Sequence, residues 1–141
     1  MFDVRGYEYG LQARSYTEVP KAISYFDNPA VPKLHFPLGY KISSHVTLVE
    51  DHFSAMILCD QGIPSVALLG TNLSDSEVSY LAACGIHQVT FYLDADAAHK
   101  ALKFKKEYGL EFSCSVYYHE TDPKDLTQEQ MQEFKEWLRE T

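Results

Sequence analysis

The chain has 141 residues, of which 45% are hydrophobic, including ten Tyr and eight Phe. This length and apolar content predict one compact unit with a packed core. A formal net charge of -8 argues against a broad polyanion-binding surface, because phosphate contacts require Lys and Arg. The charge is uneven, since residues 1–45 carry five basic and four acidic side chains, whereas residues 46–141 carry seven basic and sixteen acidic ones.

Apolar stretches and cysteines exclude further classes of protein. No segment approaches the roughly 20 apolar residues of a membrane-spanning helix. The first residues, MFDVRGYEYG, lack the apolar run of a signal peptide, so we expect a cytoplasmic protein with no membrane association. Cys59, Cys84 and Cys114 are odd in number and far apart, so neither a disulfide framework nor a zinc ribbon is expected.

Residues 1–45 are rich in Tyr and Pro, and we expect them to form short strands and loops at the edge of a sheet. From residue 46 onward, apolar runs typical of strands alternate with helical spacing. The predicted elements are the strand HVTLVE, the helix DHFSAMILCDQ, the strand PSVALLG, the helix SDSEVSYLAAC, the strand HQVTFYLD, the helix ADAAHKALKFKKEYG, the strand EFSCSVYY and the helix TQEQMQEFKEWLRE. This alternation predicts an α/β fold, a four-stranded parallel sheet with helices on both faces.

Local signals mark two of the helix ends. Ser74 followed by Glu77 has the spacing of a capping box, and Gly109 should end the third helix. The last helix is amphipathic. Its apolar face comprises Met131, Phe134, Trp137 and Leu138. We expect this face to pack on the sheet, and a docking surface for another protein is the alternative.

Carboxylates follow the predicted strands at three places. Glu50 ends the first strand, Asp94 ends the third with Asp96 just beyond it, and Asp122 and Asp125 follow the fourth. Because ligands of parallel sheets bind beyond the carboxyl ends of the strands, we expect these acids to converge on one edge. Hard oxygen ligands of this kind suit Mg²⁺ or Mn²⁺. The sequence therefore predicts a divalent metal site, and a helix cap is the alternative for Asp96 taken alone.

The stretch LLGTNLS after the second strand contains one Gly, so it does not have the composition of a phosphate-binding loop. We expect it to place Thr71 and Asn72 at the same edge of the sheet as the acids. Ser54 and Ser74 have no evident base partner, and the six His residues lack metal-ligand spacing. The carboxylates are therefore the main candidates for chemistry.

Three stretches, in this order and spacing, resemble the Toprim domain of bacterial-type primases, topoisomerases and some nucleases and recombination proteins: LVEDHFSAMILCDQGIPSVALLGTNLS, LDADAAHKA and DPKDL. VALLGTNLS and LDADAA are most similar to primases of the bacteriophage primase-helicase type. GLQARSYTEVPKAISYFDNP resembles the basic, proline-containing segment that precedes Toprim in primases. The resemblance implies a Toprim-like, Rossmann-like fold, with a basic N-terminal segment over residues 1–45 and a Toprim domain with a C-terminal helix over residues 46–141.

The resemblance implies a primase or primase component, a metal-dependent nucleotidyltransferase that makes short RNA primers on single-stranded DNA during DNA replication. It assigns the catalytic acids to Glu50, Asp94 and Asp96, which together with Asp122 would bind Mg²⁺ or Mn²⁺. Arg14 and Lys21 match upstream basic positions that contact template or nucleotide phosphates, and ordinary surface charge is their alternative.

The implied partners are a single-stranded DNA template and nucleoside triphosphates. A zinc module, a replicative helicase, or both are expected on separate chains, because this sequence has neither a Cys-rich module nor a G-x-x-x-x-G-K-[ST] loop. We therefore expect the chain to make primers poorly by itself. If it is encoded by a bacteriophage, it would act in the host cytoplasm.

The chain departs from the family pattern at several positions. Asp51 stands where Gly is usual, Ser54 where Asp is frequent, and His99 where Gly often follows the D-x-D run. In DPKD, Lys124 replaces an acid of the common DPD, and Asp125 lies one residue late. Asp51 could cap the first helix or supply a replacement metal ligand.

Two alternatives to a primase remain open from the sequence. A small free-standing Toprim nuclease would use the same acids to hydrolyse a phosphodiester with a metal-activated water. A degenerate Toprim module would bind nucleic acid or a replication protein without catalysis. The partial loss of the peripheral acids favours metal binding over full catalytic strength.

Overall fold

The structure, a computed structural model, describes residues 1–14, 22–26 and 32–141, of which residues 13, 14 and 22–26 are described by their backbone alone. Its strands are β1 (Gly10–Arg14), β2 (Ala22–Phe26), β3 (His45–Val49), β4 (Ser65–Ala67), β5 (Gln88–Phe91) and β6 (Ser113–Val116). Its α-helices are α1 (His52–Asp60), α2 (Asp75–Ala83), α3 (Ala98–Tyr108) and α4 (Gln128–Glu140). No helix in these described ranges is long and apolar enough to span a lipid bilayer.

The central sheet has the strand order β4-β3-β5-β6, and every neighbouring pair in it is parallel. Parallel neighbours need crossover connections, which the intervening helices supply. Leu48 in β3 lies opposite Val66 in β4 and Phe91 in β5, and all three side chains are fully buried. The predicted α/β fold with a four-stranded parallel sheet is therefore confirmed.

Helices cover both faces of the sheet. Alternate strand residues point to opposite sides, so each face presents its own apolar side chains to the helices. Helices α2 and α3 cover one face, where their apolar side chains join those of Val46 and Leu48 in one cluster. Helices α1 and α4 cover the other face, where Val49 and Tyr92 belong to a second cluster. Strands β3, β4 and β5 are almost wholly buried, which explains their nearly continuous apolar runs.

One described segment of the N-terminal region lies against the edge of the sheet. Strands β1 and β2 form an antiparallel pair. Residues 32–37, here called the edge segment, run beside β4, where the backbone N–H groups and carbonyls of His35 and Ala67 exchange hydrogen bonds of 2.9 Å. Leu34 and Phe36, each 1% exposed, enter the same cluster as α2. The edge segment thus supplies part of the core as well as an extra bridge to the sheet.

The helix ends follow the predicted signals. Glu77 accepts a hydrogen bond from the backbone N–H of Ser74 at 2.9 Å, as in a capping box. Helix α3 ends at Tyr108 with Gly109 as its C-cap. A Cβ atom at Gly109 would lie 2.8 Å from the carbonyl oxygen of Lys105, so this glycine is required by close approach of the backbone.

Helix α4 packs its apolar face on the sheet. Thr127 caps the helix and accepts a hydrogen bond from the backbone N–H of Gln130 at 3.2 Å. Phe134 is fully buried, with ring centroids 5.1 Å from Tyr92 and 4.5 Å from Tyr117. At Phe134, the apolar face of α4 therefore packs in the core of this chain and is not available for docking another protein.

Candidate metal centre

Three carboxylates meet at the carboxyl ends of two neighbouring strands. Glu50 follows β3 directly, and Asp94 and Asp96 follow β5, its neighbour in the sheet. One carboxylate oxygen from each of the three lies within 4.8 Å of the others. The backbone N–H of Asp94 donates to Glu50 Oε1 at 3.2 Å, which holds the two loops together. We call Glu50, Asp94 and Asp96 the acid triad.

The charges of the triad destabilise one another. Burial is the main cause that raises the pKa of Glu50 to about 7, and the negative charges of Asp94 and Asp96 contribute to the same rise. Burial also raises the pKa of Asp94 to about 6, with the charge of Asp122 as the next cause. Partly buried acids that repel one another in this way favour a bound cation or a shared proton.

The donor set fits a hard divalent ion. Mg²⁺ and Mn²⁺ favour carboxylate oxygens, and metal–oxygen distances of about 2.1–2.5 Å place ligand oxygens up to about 4–5 Å apart around one ion. The triad oxygens satisfy this spacing. The residues present are therefore compatible with one divalent cation.

A second group of charges lies beside the triad. Lys124 Nζ is 3.2 Å from Asp51 Oδ2 and 3.3 Å from Asp122 Oδ2. Asp51 also caps α1, where its Oδ1 accepts from the Ser54 backbone N–H at 3.0 Å and its Oδ2 accepts from the Ser54 hydroxyl at 3.1 Å. Burial opposes ionisation of Asp51, but the Ser54 N–H and Lys124 outweigh it and lower the pKa of Asp51. Of the two roles open to Asp51, the structure therefore shows the helix cap.

Asp122 lies close to the triad, because its charge contributes to the raised pKa values of both Glu50 and Asp94. Its carboxylate, however, is paired with Lys124. The family pattern indicates only that Lys124 replaces an acid, and it does not predict that Lys124 pairs with Asp122. A single lysine in the acid-rich stretch HETDPKD was the available signal.

Two further contacts position the loops around the triad. The Tyr92 hydroxyl donates to the Thr121 carbonyl at 2.8 Å, which ties the loop before Asp122 to the sheet. The Gly70 N–H donates to the Glu50 carbonyl at 3.1 Å, and Thr71 accepts a hydrogen bond of 2.5 Å from Lys100 Nζ on α3. The loop after β4 thus contacts Glu50 through Gly70, and the placement of Thr71 and Asn72 beside the acids stays a prediction.

The upstream basic residues are Arg14 and Lys21. Arg14 is the last residue of β1, where its backbone pairs with Ala22, but its side chain is not described. Lys21 lies outside the described residues. The interpretation of both side chains as phosphate contacts therefore stays a prediction.

The raised pKa values predict how stability depends on pH. Folding raises the pKa of Glu50 from 4.5 and of Asp94 from 3.8, so their protonated forms are favoured in the fold. Their contribution to stability is therefore present at low pH and is lost as the pH rises through about 6 and about 7. Mn²⁺ should reverse this trend, because it requires the ionised acids.

Thermal unfolding with and without Mn²⁺, at about pH 5 and about pH 8, measures this effect. We expect Mn²⁺ to raise the melting temperature more at the higher pH. A Glu50→Gln variant is the control, because it cannot ionise at this position. Equal dependence on pH in the wild type and in Glu50→Gln would contradict the prediction.

Comparison with solved structures identifies the fold. The chain is similar to the Aquifex aeolicus primase, in a structure of its zinc-binding and RNA polymerase domains, with a TM-score of 0.77, 22% identity, and coverage of 99% of this chain and 38% of that one. It is similar to the DnaG primase catalytic domain bound to ssDNA, with a TM-score of 0.73, 20% identity, and coverage of 99% and 50%. For a DNA primase domain from Pseudomonas aeruginosa the TM-score is 0.71, the identity 19%, and the coverage 100% and 49%.

These likenesses extend over nearly the whole chain, which spans half or less of the length of each solved structure. At such low identity they show a shared fold, that of the primase catalytic domain. No family model and no curated protein matches the sequence. The Toprim-like fold expected from the sequence motifs is thus confirmed by structural similarity.

Proposed function

We propose that the chain is the metal-binding part of a primase, acting in DNA replication as a nucleotidyltransferase that joins nucleotides into short RNA primers on single-stranded DNA. The observation that carries the proposal is the acid triad at adjacent strand ends, within a fold shared with primase catalytic domains. The sequence stretches most similar to bacteriophage primases support a phage origin, with action in the host cytoplasm.

In this proposal Glu50, Asp94 and Asp96 would hold Mg²⁺ or Mn²⁺, with Asp122 available at the side. The bound ion would supply positive charge to the triphosphate and acidify the attacking 3′-hydroxyl. The protein's own contribution is to hold the carboxylates ready. The sheet fixes Glu50 and Asp94, and the hydrogen bond between them keeps the two loops in register. Such preorganisation reduces rearrangement during phosphoryl transfer.

Primer synthesis needs more than a metal centre. It needs a template held in register and two nucleotides aligned for in-line attack. Arg14 and Lys21 are proposed to contact phosphates, but a net charge of -8 gives weak attraction to DNA overall. The related solved structures are longer, and one of them includes a zinc-binding domain. We therefore propose that primer synthesis requires a zinc module, a replicative helicase, or both, in addition to the 141 residues of this sequence.

A primer-synthesis assay tests this function. The chain would be incubated with Mn²⁺, single-stranded DNA and labelled ribonucleotides, with and without candidate zinc-module and helicase chains. We expect little product from the chain alone and short RNA oligomers from the assembly, because only the assembly can hold the template. An assembly containing Glu50→Gln is the matched control and should yield no oligomers.

The same assay separates primer synthesis from the alternatives. DNA cleavage by the isolated chain that depends on Asp94 would indicate a nuclease, which needs only one bound strand and a water molecule. DNA or protein binding without either product would indicate a non-catalytic module. Abundant primers from the isolated chain would contradict the expected need for partners.

A further inference from the structure

Five carboxylates lie at this end of the sheet, and their contacts divide them into two groups. The acid triad, Glu50, Asp94 and Asp96, has oxygens close enough to share one cation. Asp51 and Asp122 instead share the ammonium of Lys124. The two groups are adjacent, because the charges of Asp51 and Asp122 act on Asp94. Asp51 and Asp122 are thus paired with a cation of the chain itself, whereas the triad has the oxygen spacing of a divalent metal site.

The Lys124 ammonium contacts both Asp51 and Asp122, as a cation bridging the two carboxylates would. Its nitrogen is 3.2 Å from an oxygen of Asp51 and 3.3 Å from an oxygen of Asp122. A divalent ion bridging these oxygens would also lie between them, at about 2.1–2.5 Å from each. The ammonium and the ion cannot occupy this space together. Lysine is suited to the role because its ammonium is a compact point charge.

Several contacts hold this arrangement in place. Asp51 is engaged twice by Ser54, through its backbone N–H and its hydroxyl, so the carboxylate is fixed at the start of α1. Asp122 precedes the short turn Pro123–Asp125, in which the Asp125 N–H donates to the Asp122 carbonyl at 2.9 Å. The Lys124 side chain is 30% exposed and that of Asp51 is 16% exposed, so water screens this pair less than a fully exposed one.

We propose that Lys124 acts as a built-in second cation, so that the metal centre takes a single divalent ion on the acid triad. The proposal rests on the metal site of the proposed function and deepens it. Lys124 excludes a second ion from the space between Asp51 and Asp122. Its two ion pairs use two of the three ammonium donors.

Lys124 also changes the net charge of the group that it forms with Asp51 and Asp122. Asp51 and Asp122 carry two negative charges and Lys124 neutralises one of them, so this group retains one negative charge beside the triad. The positive charge of Lys124 favours the ionised form of Asp94, although burial and the charge of Asp122 outweigh it. Removing Lys124 would therefore free two carboxylates and leave room for another cation.

Mn²⁺ stoichiometry tests the proposal without measuring catalysis. Isothermal titration of the full chain should give one Mn²⁺ per chain for the wild type and two for Lys124→Ala. Lys124→Met keeps most of the aliphatic side chain while removing the charge, and it should also bind two ions. The double variant Lys124→Ala, Asp122→Asn should return to one, because it lacks a carboxylate of the second site.

Electron paramagnetic resonance gives an independent readout. Two Mn²⁺ ions in neighbouring sites should broaden each other's signals in Lys124→Ala, whereas the wild type should show the signal of an isolated ion. Circular dichroism establishes that each variant is folded. If Lys124→Ala does not fold, Lys124→Met serves in its place.

The outcomes distinguish the inference from the metal site on which it rests. Two ions on the wild-type chain, or one ion on folded Lys124→Ala and Lys124→Met, would overturn the role of Lys124 while leaving the triad as a metal site. No saturable binding to the wild type would overturn the metal site itself, and the inference with it. One ion in the wild type and two in both single variants would support both.

Discussion

Replacing Asp94 and Asp96 together by Asn should abolish saturable Mn²⁺ binding and reduce primer synthesis in the assembled system by more than about a hundredfold. Asn retains nearly the same shape but loses the negative charge that a hard divalent ion requires. The two acids supply two of the three triad oxygens, so Glu50 would be left as the sole member. Isothermal titration with Mn²⁺ measures the first effect, and the primer assay measures the second.

The same double variant should be more stable than the wild type in the absence of metal. The charges of Asp94 and Asp96 both contribute to the raised pKa of Glu50, and Asn removes this repulsion. Asp125→Asn is the matched control, because Asp125 is an exposed acid in the nearby turn and is not a member of the triad. Wild-type Mn²⁺ affinity in the double variant would contradict the proposed site.

Replacing Phe134 by Ala should lower the free energy of unfolding by about 3–5 kcal/mol. The ring is fully buried and packs between α4 and the sheet, against Tyr92 and Tyr117. Removing it leaves a cavity among aromatic side chains that cannot collapse fully, so both transfer and packing energy are lost. Chemical denaturation followed by circular dichroism measures the change.

Leu110→Ala is the control for this experiment. Leu110 is 99% exposed, and we expect its replacement to change stability by less than about 0.5 kcal/mol. If Phe134→Ala were equally mild, α4 would not be packed on the sheet as described. The docking alternative for the apolar face of α4 would then regain support.

The sheet and the triad could be predicted from the sequence because both depend on local patterns. Alternating apolar strands and helices predict parallel strands. Parallel strands place their carboxyl ends at one edge, so acids such as Glu50 and Asp94 are expected to meet. No knowledge of distant contacts is needed for this step.

The partners of Lys124 could not be predicted in the same way. Lys124 and Asp51 are 73 residues apart in sequence, and no local rule brings a turn after the last strand to the start of α1. The sequence left Asp51 open as a cap or a ligand. The fold shows that Asp51 caps the helix, because it places the Ser54 N–H and the Lys124 ammonium on the same carboxylate.

Strand β4 is shorter than the sequence predicts. The apolar run PSVALLG suggested a strand over most of its length, but β4 comprises only Ser65–Ala67. Leu69 adopts a left-handed backbone with φ of 57°, which is costly for a residue with a side chain. The hydrophobic pattern does not predict this turn, which directs the chain past Glu50 toward Thr71.

The edge segment determines where the chain can be cut. Its bridge between His35 and Ala67 covers the outer side of β4, which would otherwise present unpaired backbone groups at the end of the sheet. Open edges of this kind recruit strands from other molecules and promote aggregation. A fragment beginning at residue 46 would also lose Leu34 and Phe36 from the core. The acid-bearing half of the chain is consequently a poor candidate for transfer to another protein as a separate piece, and fusions or truncations should retain the residues from 32 onward.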